Sequence, residues 1–354
     1  MRIEKERLDY LDIAKAITIF LVLMGHTGAS TSTFLYRRII YTFHMPLFLL
    51  ISGIVSERRT DGSGESWRTF LRKNAFALLI PYFFWGILYT KFSYQSVLQV
   101  AYASWQTITA SGTVLALWYL VCLFVARVEM EGILALSGRF SMDSRLFALL
   151  AAPVAFAAGF LLPEWEPGYP WELKVSFLAL GFLLIGYAGR DCLNRLAKKG
   201  CGAQLLFFLI SAALFAGGIL YRGDALELSL ILKAKVGNLF WFFYYSFTGS
   251  AAVIGFSMLL ARLFAGRAKP AWYRGILWIG CNTLGILVLH KPLLPEVIVP
   301  ALVRAGLDEA SILLSVLSAL LTLPYAVVLT LLLKKYFPAL LGLRRETQQQ
   351  AERT

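Results

Sequence analysis

Residues 312–333 read ILLSVLSALLTLPYAVVLTLLL, which is 22 positions without a charged side chain. Residues 236–261 form a second uncharged run of 26 positions. About 20 apolar residues in a helix cross the ~30 Å hydrocarbon core of a bilayer, and a run of that length predicts a transmembrane helix. These two runs therefore predict membrane-spanning helices and decide the fold class.

Similar apolar segments recur along the whole chain. The sequence is 58% hydrophobic and only 16% charged, whereas soluble domains are about 25% charged. Ten segments can be marked, at residues 10–28, 34–55, 74–92, 113–130, 146–162, 174–190, 203–221, 236–261, 275–294 and 311–333. We therefore predict an all-α, polytopic integral membrane protein of about ten transmembrane helices.

The distribution of basic residues predicts the orientation. If the N-terminus is cytoplasmic and the segments alternate, 24 lysines and arginines fall on the cytoplasmic side and nine on the other. Basic residues gather in cytoplasmic loops, so this split predicts an N-in, C-in arrangement. The acidic, proline-rich stretch 163–170 then lies outside the cytoplasm. The net charge of +13 is thereby explained without a nucleic-acid partner.

The predicted domain organisation is simple. Residues 1–340 form the transmembrane domain, and residues 341–354 form a short polar cytoplasmic tail. The four cysteines contain no CxxC pair, so free thiols are expected rather than a disulfide framework. Soluble catalytic signatures such as G-x-S-x-G, the P-loop and H-E-x-x-H are absent from the sequence. Any chemistry must then take place within the membrane domain.

The chain has three histidines, and all of them lie in apolar segments. His26 follows Lys15 by eleven positions, about three helical turns, so both side chains project from one helix face ~16 Å apart along the axis. Asp12 is placed to form an ion pair with Lys15. Ionisable groups inside membrane segments are costly and by default mark function; interfacial anchoring of Asp12 and Lys15 is the simpler alternative.

The other two histidines are predicted at a similar depth. His44 precedes Pro46, which removes a helical hydrogen bond to Thr42 and favours a kink, and His290 ends the ninth segment. A lone membrane histidine is more often a packing hydrogen-bond partner. The functional interpretation therefore depends on all three histidines lying at a similar depth. Because no intramembrane carboxylate accompanies them, no metal site is predicted.

Five stretches in order resemble motifs of the acyltransferase-3 family of bacterial membrane acyltransferases. These stretches are Leu11–Lys15 with Gly25-His26, Phe43–Phe48 with Ser52-Gly53, Arg72-Lys73 with Leu79–Tyr82, Leu117–Leu120, and Gly280–Gly285 with His290. The first is most similar to the branch related to fucose 4-O-acetylase. Most of the family has arginine where this chain has Lys15, and lysine keeps the charge but loses the bidentate fork.

The resemblance implies an O-acyltransferase of the bacterial inner membrane. Its partners would be the lipid bilayer, an acyl-CoA donor, in the first instance acetyl-CoA, and a carbohydrate or cell-envelope glycan that accepts the acyl group on a hydroxyl; no bound cofactor is implied. A neutral imidazole suits the activation of a hydroxyl, and we assign this role to His26.

The remaining candidate residues divide between the two substrates. Donor binding is assigned to Lys15, Arg72 and Lys73, with Arg58, Arg59 and Arg68 as ordinary positive-inside anchors. His44, His290 and Asn282 are expected to orient the acceptor or to stabilise the oxyanion. Trp118 and Tyr119 are expected to line the cavity, although interfacial aromatics are the more common reading of such residues.

Two other classes of function remain open. A transporter or flippase of a polar lipid or sugar would also explain intramembrane charges and kinks, but not the ordered motifs. A non-catalytic membrane scaffold would tolerate substitution of the histidines. Transfer from acetyl-CoA by purified protein, without a gradient, separates the enzyme from both alternatives.

Overall fold

The structure is a computed structural model that describes residues 8–27, 35–56, 66–109, 115–223, 226 and 237–344. These residues are helical with short connections and contain no strand. The α-helices are α1 (Asp9–Gly25), α2 (Leu35–Val55), α3 (Trp67–Tyr89), α4 (Tyr94–Tyr102), α5 (Trp105–Thr109), α6 (Trp118–Arg139), α7 (Ser144–Leu161), α8 (Leu173–Lys198), α9 (Cys201–Arg222), α10 (Leu239–Leu263), α11 (Ala271–Cys281), α12 (Thr283–Leu289), α13 (Val299–Arg304) and α14 (Ile312–Tyr336).

Each of the ten predicted segments corresponds to a helix, or in one case to the helix pair α11 and α12. Within the described residues, six helices are long and apolar enough to cross a membrane: α2, α7, α8 with the turn before it, α9, α10 and α14. The pair α11 and α12, bent by 72°, makes a seventh if it counts as one span. The all-helical, multi-pass class is thus confirmed, whereas the count of ten and the N-in, C-in orientation stay predictions.

The outer surface of the bundle is apolar. Helices α7 and α9 expose rows of leucines, among them Leu149, Leu150, Leu206 and Leu209, each more than half exposed. Soluble proteins rarely expose continuous apolar surface of this kind, whereas a lipid-facing helix must. The exposed leucines therefore mark the surface that faces the bilayer.

Several long helices begin at a side-chain cap. Ser66, Asp143, Asn238 and Ser311 each accept a hydrogen bond from the backbone N–H groups that open α3, α7, α10 and α14. Serine, aspartate and asparagine are preferred at this position because they satisfy amides that have no partner within the helix. The caps fix where these helices start.

Helix α1 lies at the centre of the bundle. It packs against α2, α10, α11, α12 and α14, and most of its side chains are buried. The approach to α11 is closest at Gly280, where a Cβ atom would lie 1.9 Å from the carbonyl oxygen of Asp12. Only glycine permits this contact, which fixes α11 against the half of α1 that carries Lys15.

Helix α2 passes through Pro46 without a break. The proline removes the N–H that would bond to the carbonyl of Thr42, and the Ser246 hydroxyl of α10 donates to that carbonyl at 2.9 Å. A neighbouring helix thus satisfies the acceptor that proline leaves free, as is common in membrane helices. Further along, Gly53 lets α2 approach the backbone of Leu183 in α8.

Candidate active site

Two of the three histidines are in direct contact. His26 caps the C-terminus of α1, and His290 follows the last residue of α12. His26 Nδ1 lies 2.8 Å from His290 Nε2, and the two rings are nearly parallel, with centroids 5.0 Å apart. His290 is fully buried and His26 is half-buried. The pair therefore joins the first and ninth predicted segments at one point, with His26 as the more accessible partner.

The hydrogen bonds of this pair define its tautomers when both rings are neutral. His290 Nδ1 lies 2.7 Å from the carbonyl oxygen of Leu287, and a carbonyl can only accept, so Nδ1 carries the proton. His290 Nε2 is then an acceptor, and His26 Nδ1–H donates to it. The remaining nitrogen, His26 Nε2, is then unprotonated, which is the state that a general base requires.

His44 lies beside this pair on α2. Its Nδ1 is 2.8 Å from the carbonyl oxygen of Ile40, so the neutral ring holds its proton there and its Nε2 is an acceptor. Tyr41 contacts both His44 and the end of α1. Its ring meets that of His44 edge-on at 5.0 Å, and its hydroxyl donates to the Gly25 carbonyl at 3.2 Å. In this tautomer His44 can accept a proton from a hydroxyl but cannot donate to an oxyanion.

A polar network lies next to His26. The Thr27 hydroxyl is 2.7 Å from that of Ser315 in α14, and the Arg37 Nη2 group donates to Thr27 at 3.2 Å. Tyr36 also bonds to Ser315. Arg37 is fully buried, and a buried arginine in a membrane helix indicates function by default. The guanidinium group of Arg37 is thus bonded to Thr27, the residue that follows His26.

Lys15 and Asp12 lie towards the other end of α1. Lys15 Nζ is 2.7 Å from Asp12 Oδ1, with the lysine side chain 25% exposed and the aspartate 8%. Gly280 of α11 abuts the Asp12 backbone. The ion pair is therefore at the level of α11, about 16 Å along α1 from His26.

Asn282 occupies the break between α11 and α12. Its Nδ2 donates to the Trp278 carbonyl at 2.7 Å, and its Oδ1 accepts from Lys334 at 3.0 Å. Lys334 lies near the C-terminal end of α14, 19 residues or ~28 Å along the axis from Ser315. The structure thus groups Asn282 with Lys334, at the Lys15 end of the bundle rather than with the histidines.

Arg72 and Lys73 are exposed in the first turns of α3. The turn Pro338–Leu341 that follows α14 packs against α3, and the backbone of Ala77 closely approaches Gly342. These contacts place Arg72 and Lys73 at the same end of the bundle as Lys334. Arg68 is also exposed there, whereas Arg58 and Arg59 lie outside the described residues.

Trp118 and Tyr119 begin α6. Trp118 is buried, and Tyr119 bonds to the Ser52 side chain and packs against the ring of Phe48 at 6.1 Å. His44, Phe48 and Ser52 are four residues apart along α2 and share one face. Tyr119 therefore lines the face of α2 that carries His44, between the histidines and the Lys15 end.

Arg37, Thr27 and Ser315 were not identified from the sequence. Arg37 stands at the start of an apolar segment, where a basic residue normally indicates interfacial anchoring, and Thr27 and Ser315 are unremarkable hydroxyls. No sequence pattern signals the contact between Thr27 and Ser315, which are 288 positions apart.

The described residues contain no group of three or more histidine, cysteine, aspartate or glutamate side chains placed to hold a metal ion.

Comparison with known proteins assigns the class of this helical domain. The acyltransferase-3 family profile, described as an acyltransferase domain, matches residues 8–334. The chain belongs to this family. Nodulation protein NolL of Mesorhizobium japonicum is 27% identical over 203 residues, covering 48% of this chain and 52% of that protein. The chain thus matches about half the length of this curated relative, and no solved structure matches it.

Proposed function

We propose that this protein is an O-acyltransferase of the bacterial inner membrane. It transfers an acyl group, in the first instance acetyl, from cytoplasmic acyl-CoA to a hydroxyl of a carbohydrate or cell-envelope glycan. Membership of the acyltransferase family supports the reaction class. The observation that carries the proposal is the 2.8 Å contact between His26 and His290, because it leaves an unprotonated nitrogen on the half-buried ring of His26.

In the proposed reaction His26 Nε2 removes the proton from the acceptor hydroxyl. The oxygen attacks the thioester carbon and forms a C–O bond, and the carbonyl π electrons move to oxygen. Collapse of this intermediate breaks the C–S bond, and the CoA thiolate takes the proton from the imidazolium of His26. General acid–base catalysis of this kind contributes typically about 10²–10⁴-fold.

The other histidines have supporting roles in this proposal. His290 uses both ring nitrogens, towards Leu287 and His26, so it positions the base and stabilises the imidazolium. His44 offers a single acceptor, Nε2, which is suited to hold an acceptor hydroxyl. Donors for the oxyanion then come from elsewhere, and the buried Arg37 guanidinium is the candidate beside His26.

The donor is assigned to the opposite end of the bundle. Coenzyme A is polyanionic, and Lys15, Lys334, Arg72 and Lys73 provide cations at the predicted cytoplasmic end. The pantetheine arm would pass along Tyr119 towards His26, over the ~16 Å between Lys15 and His26. The oxyanion role predicted for Asn282 stays a prediction, while its bond to Lys334 favours a place on the donor side.

The test is thioester cleavage by purified protein in detergent or nanodiscs. With acetyl-CoA and a panel of sugars, the proposal expects acetyl transfer without any ion gradient. Absence of acetyl-CoA binding and turnover in a well-folded sample, whatever sugar is present, would contradict it and favour the transporter. A scaffold would also fail this assay, and would show no sugar flux in proteoliposomes.

A further inference from the structure

A cleft outside the histidine site has the composition of a sugar-binding site. It is shallow and partly open to solvent. It lies between α5 and the loop that leads into α8. Its lining residues are Trp105, Gln106, Glu164, Trp165, Gly168, Tyr169, Glu172, Lys174 and Val175.

The walls of the cleft are held by hydrogen bonds between two connecting segments. Tyr102 donates to the Gly168 carbonyl at 2.9 Å, and the Glu172 N–H donates to the Ala103 carbonyl at 3.0 Å. Gly168 has φ +89°, and a Cβ atom there would lie 2.0 Å from Gln106 Oε1. The loop is therefore fixed against the start of α5, and the cleft between them is preformed.

Glu172 provides an unused hydrogen-bonding atom in this cleft. The residue is 2% exposed, and its Oε1 has no hydrogen-bond partner within the part of the chain that the structure describes. Buried polar atoms are normally satisfied, and an exception calls for an explanation. In either protonation state, a carboxyl group that lines a cleft can bond to a hydroxyl of a ligand.

Aromatic side chains supply the other half of a sugar site. Trp165 is 57% exposed, and its ring lies 6.2 Å from that of Tyr169 at an angle of 37°. An exposed tryptophan beside a buried carboxyl group offers an apolar face for the C–H side of a sugar ring and a polar partner for its hydroxyls. Interfacial anchoring alone would explain Trp165 but not the unused oxygen of Glu172.

The charges in the cleft favour a neutral ligand. Lys174 Nζ lies 3.1 Å from Glu164 Oε1, so these two charges offset each other. The remaining charged residue of the cleft, Glu172, is acidic. The cleft therefore has no excess positive charge that would attract a phosphate or a sugar acid. Nor do the described residues of the cleft form a group of three or more metal-ligating side chains.

Two helix contacts lie between the cleft and the histidine site. Helix α5 contacts the short 3₁₀ helix Leu115–Leu117, and that helix contacts α12, which ends at His290. We propose that the cleft is a binding subsite for a neutral sugar ring of the acceptor, with Trp165 stacking on the ring and Glu172 holding a hydroxyl. The identification of this sugar as the acceptor rests on the proposed function.

The test measures sugar binding in the absence of any donor. Equilibrium dialysis of the full-length protein in nanodiscs would use radiolabelled glucose, galactose, fucose, N-acetylglucosamine and glucuronate. We expect saturable binding of at least one neutral sugar, weakened at least about fivefold by Trp165→Ala because a stacking contact is lost. Glu172→Gln should weaken the same sugar and keep the side-chain volume. Trp272→Ala, which removes a tryptophan of 55% exposure from α11, should leave binding unchanged.

Either of two results would overturn the subsite. One is the absence of saturable binding of every neutral sugar; the other is equal binding by Trp165→Ala and Trp272→Ala. Since Trp165 is exposed, its variant should fold even if Glu172→Gln does not, which thermal melting would show. Thioester cleavage is measured separately, so failure of the acyltransferase proposal would not be confused with failure of the subsite.

Discussion

His26 and His290 are 264 positions apart, and their imidazole nitrogens lie 2.8 Å from each other. The contact exists because α1 ends at Gly25 and α12 ends at Leu289, so each histidine sits just beyond a helix end. The Leu287 carbonyl holds the proton of His290 on Nδ1. His290 Nε2 is therefore an acceptor, so His26 carries its own proton on Nδ1. A backbone carbonyl thereby sets which nitrogen of the proposed base is unprotonated.

The contact of α1 with α11 should depend on the absence of a side chain at Gly280. Gly280→Ala places a Cβ atom 1.9 Å from the backbone oxygen of Asp12, so the helices must separate. We expect a loss of about 2 kcal/mol or more in stability, in the range of overpacked cores, together with lower turnover. The measurement is thermal unfolding in detergent.

Gly275→Ala is the matched control in the same helix. A Cβ atom at Gly275 meets nothing within 4 Å, and alanine is favoured over glycine inside a helix by roughly 0.5–1 kcal/mol. The control should therefore unfold at the wild-type temperature or slightly above it. Equal destabilisation by both substitutions would contradict the close approach of α1 and α11.

The hydroxyl of Ser246 should be needed only because Pro46 is present. Ser246→Ala leaves the buried Thr42 carbonyl without its bond from α10, at a cost of about 0.6–2 kcal/mol. Adding Pro46→Ala restores a helical N–H to that carbonyl and should recover part of the loss. Unfolding temperatures of the single and double variants measure this coupling.

Ser257→Ala provides the comparison for Ser246→Ala. Ser257 is also fully buried in α10, but its hydroxyl bonds within its own helix, to the Val253 carbonyl. Its removal should cost less than removal of Ser246, and Pro46→Ala should not change that cost. A rescue that is equally large in both backgrounds would argue against the interhelical bond.

Lys334 should contribute to donor binding. Its ammonium group bonds to Asn282 and lies over the Trp278 ring at 5.9 Å, at the end of the bundle that we assign to coenzyme A. Lys334→Gln is expected to raise the KM for acetyl-CoA about tenfold, the worth of one charge-assisted contact, with a smaller effect on kcat.

The neighbouring Lys335 gives a control with the same change of charge. It is exposed and lies beside Tyr336, so Lys335→Gln should leave the KM for acetyl-CoA close to the wild-type value. If the two glutamine variants raise KM equally, general electrostatic attraction rather than a site at Lys334 explains the effect.

Much of the fold was predictable because apolar runs report directly on burial in lipid. The C-terminal end of α2, predicted at residue 55 and found at Val55, follows from composition alone. The break at Asn282 was not predicted, and residues 275–294 were expected to form one segment. At the break the side chain of Asn282 bonds to Trp278 and Lys334, and a hydropathy pattern does not record such contacts.

The candidate site was predictable only in part. The helical spacing of Lys15 and His26 places both on one face of α1, and histidine in an apolar segment is a strong signal. The pairing of His26 with His290 depends on how α1 crosses α12, which local sequence does not specify. Arg37 and Glu172 stand at segment ends, where a charge normally marks the interface, so their burial became apparent only in three dimensions.

A double-mutant cycle on His26 and His290, with acetyl transfer from acetyl-CoA as the readout, tests whether the two histidines act as a pair. We expect His26→Gln to lower kcat at least about 10²-fold and His290→Gln to lower it less. The double variant should be no slower than His26→Gln alone, because residues that act as a unit are not additive. Multiplicative losses would contradict the pairing, and retained turnover in His26→Gln would contradict the assignment of His26 as the base.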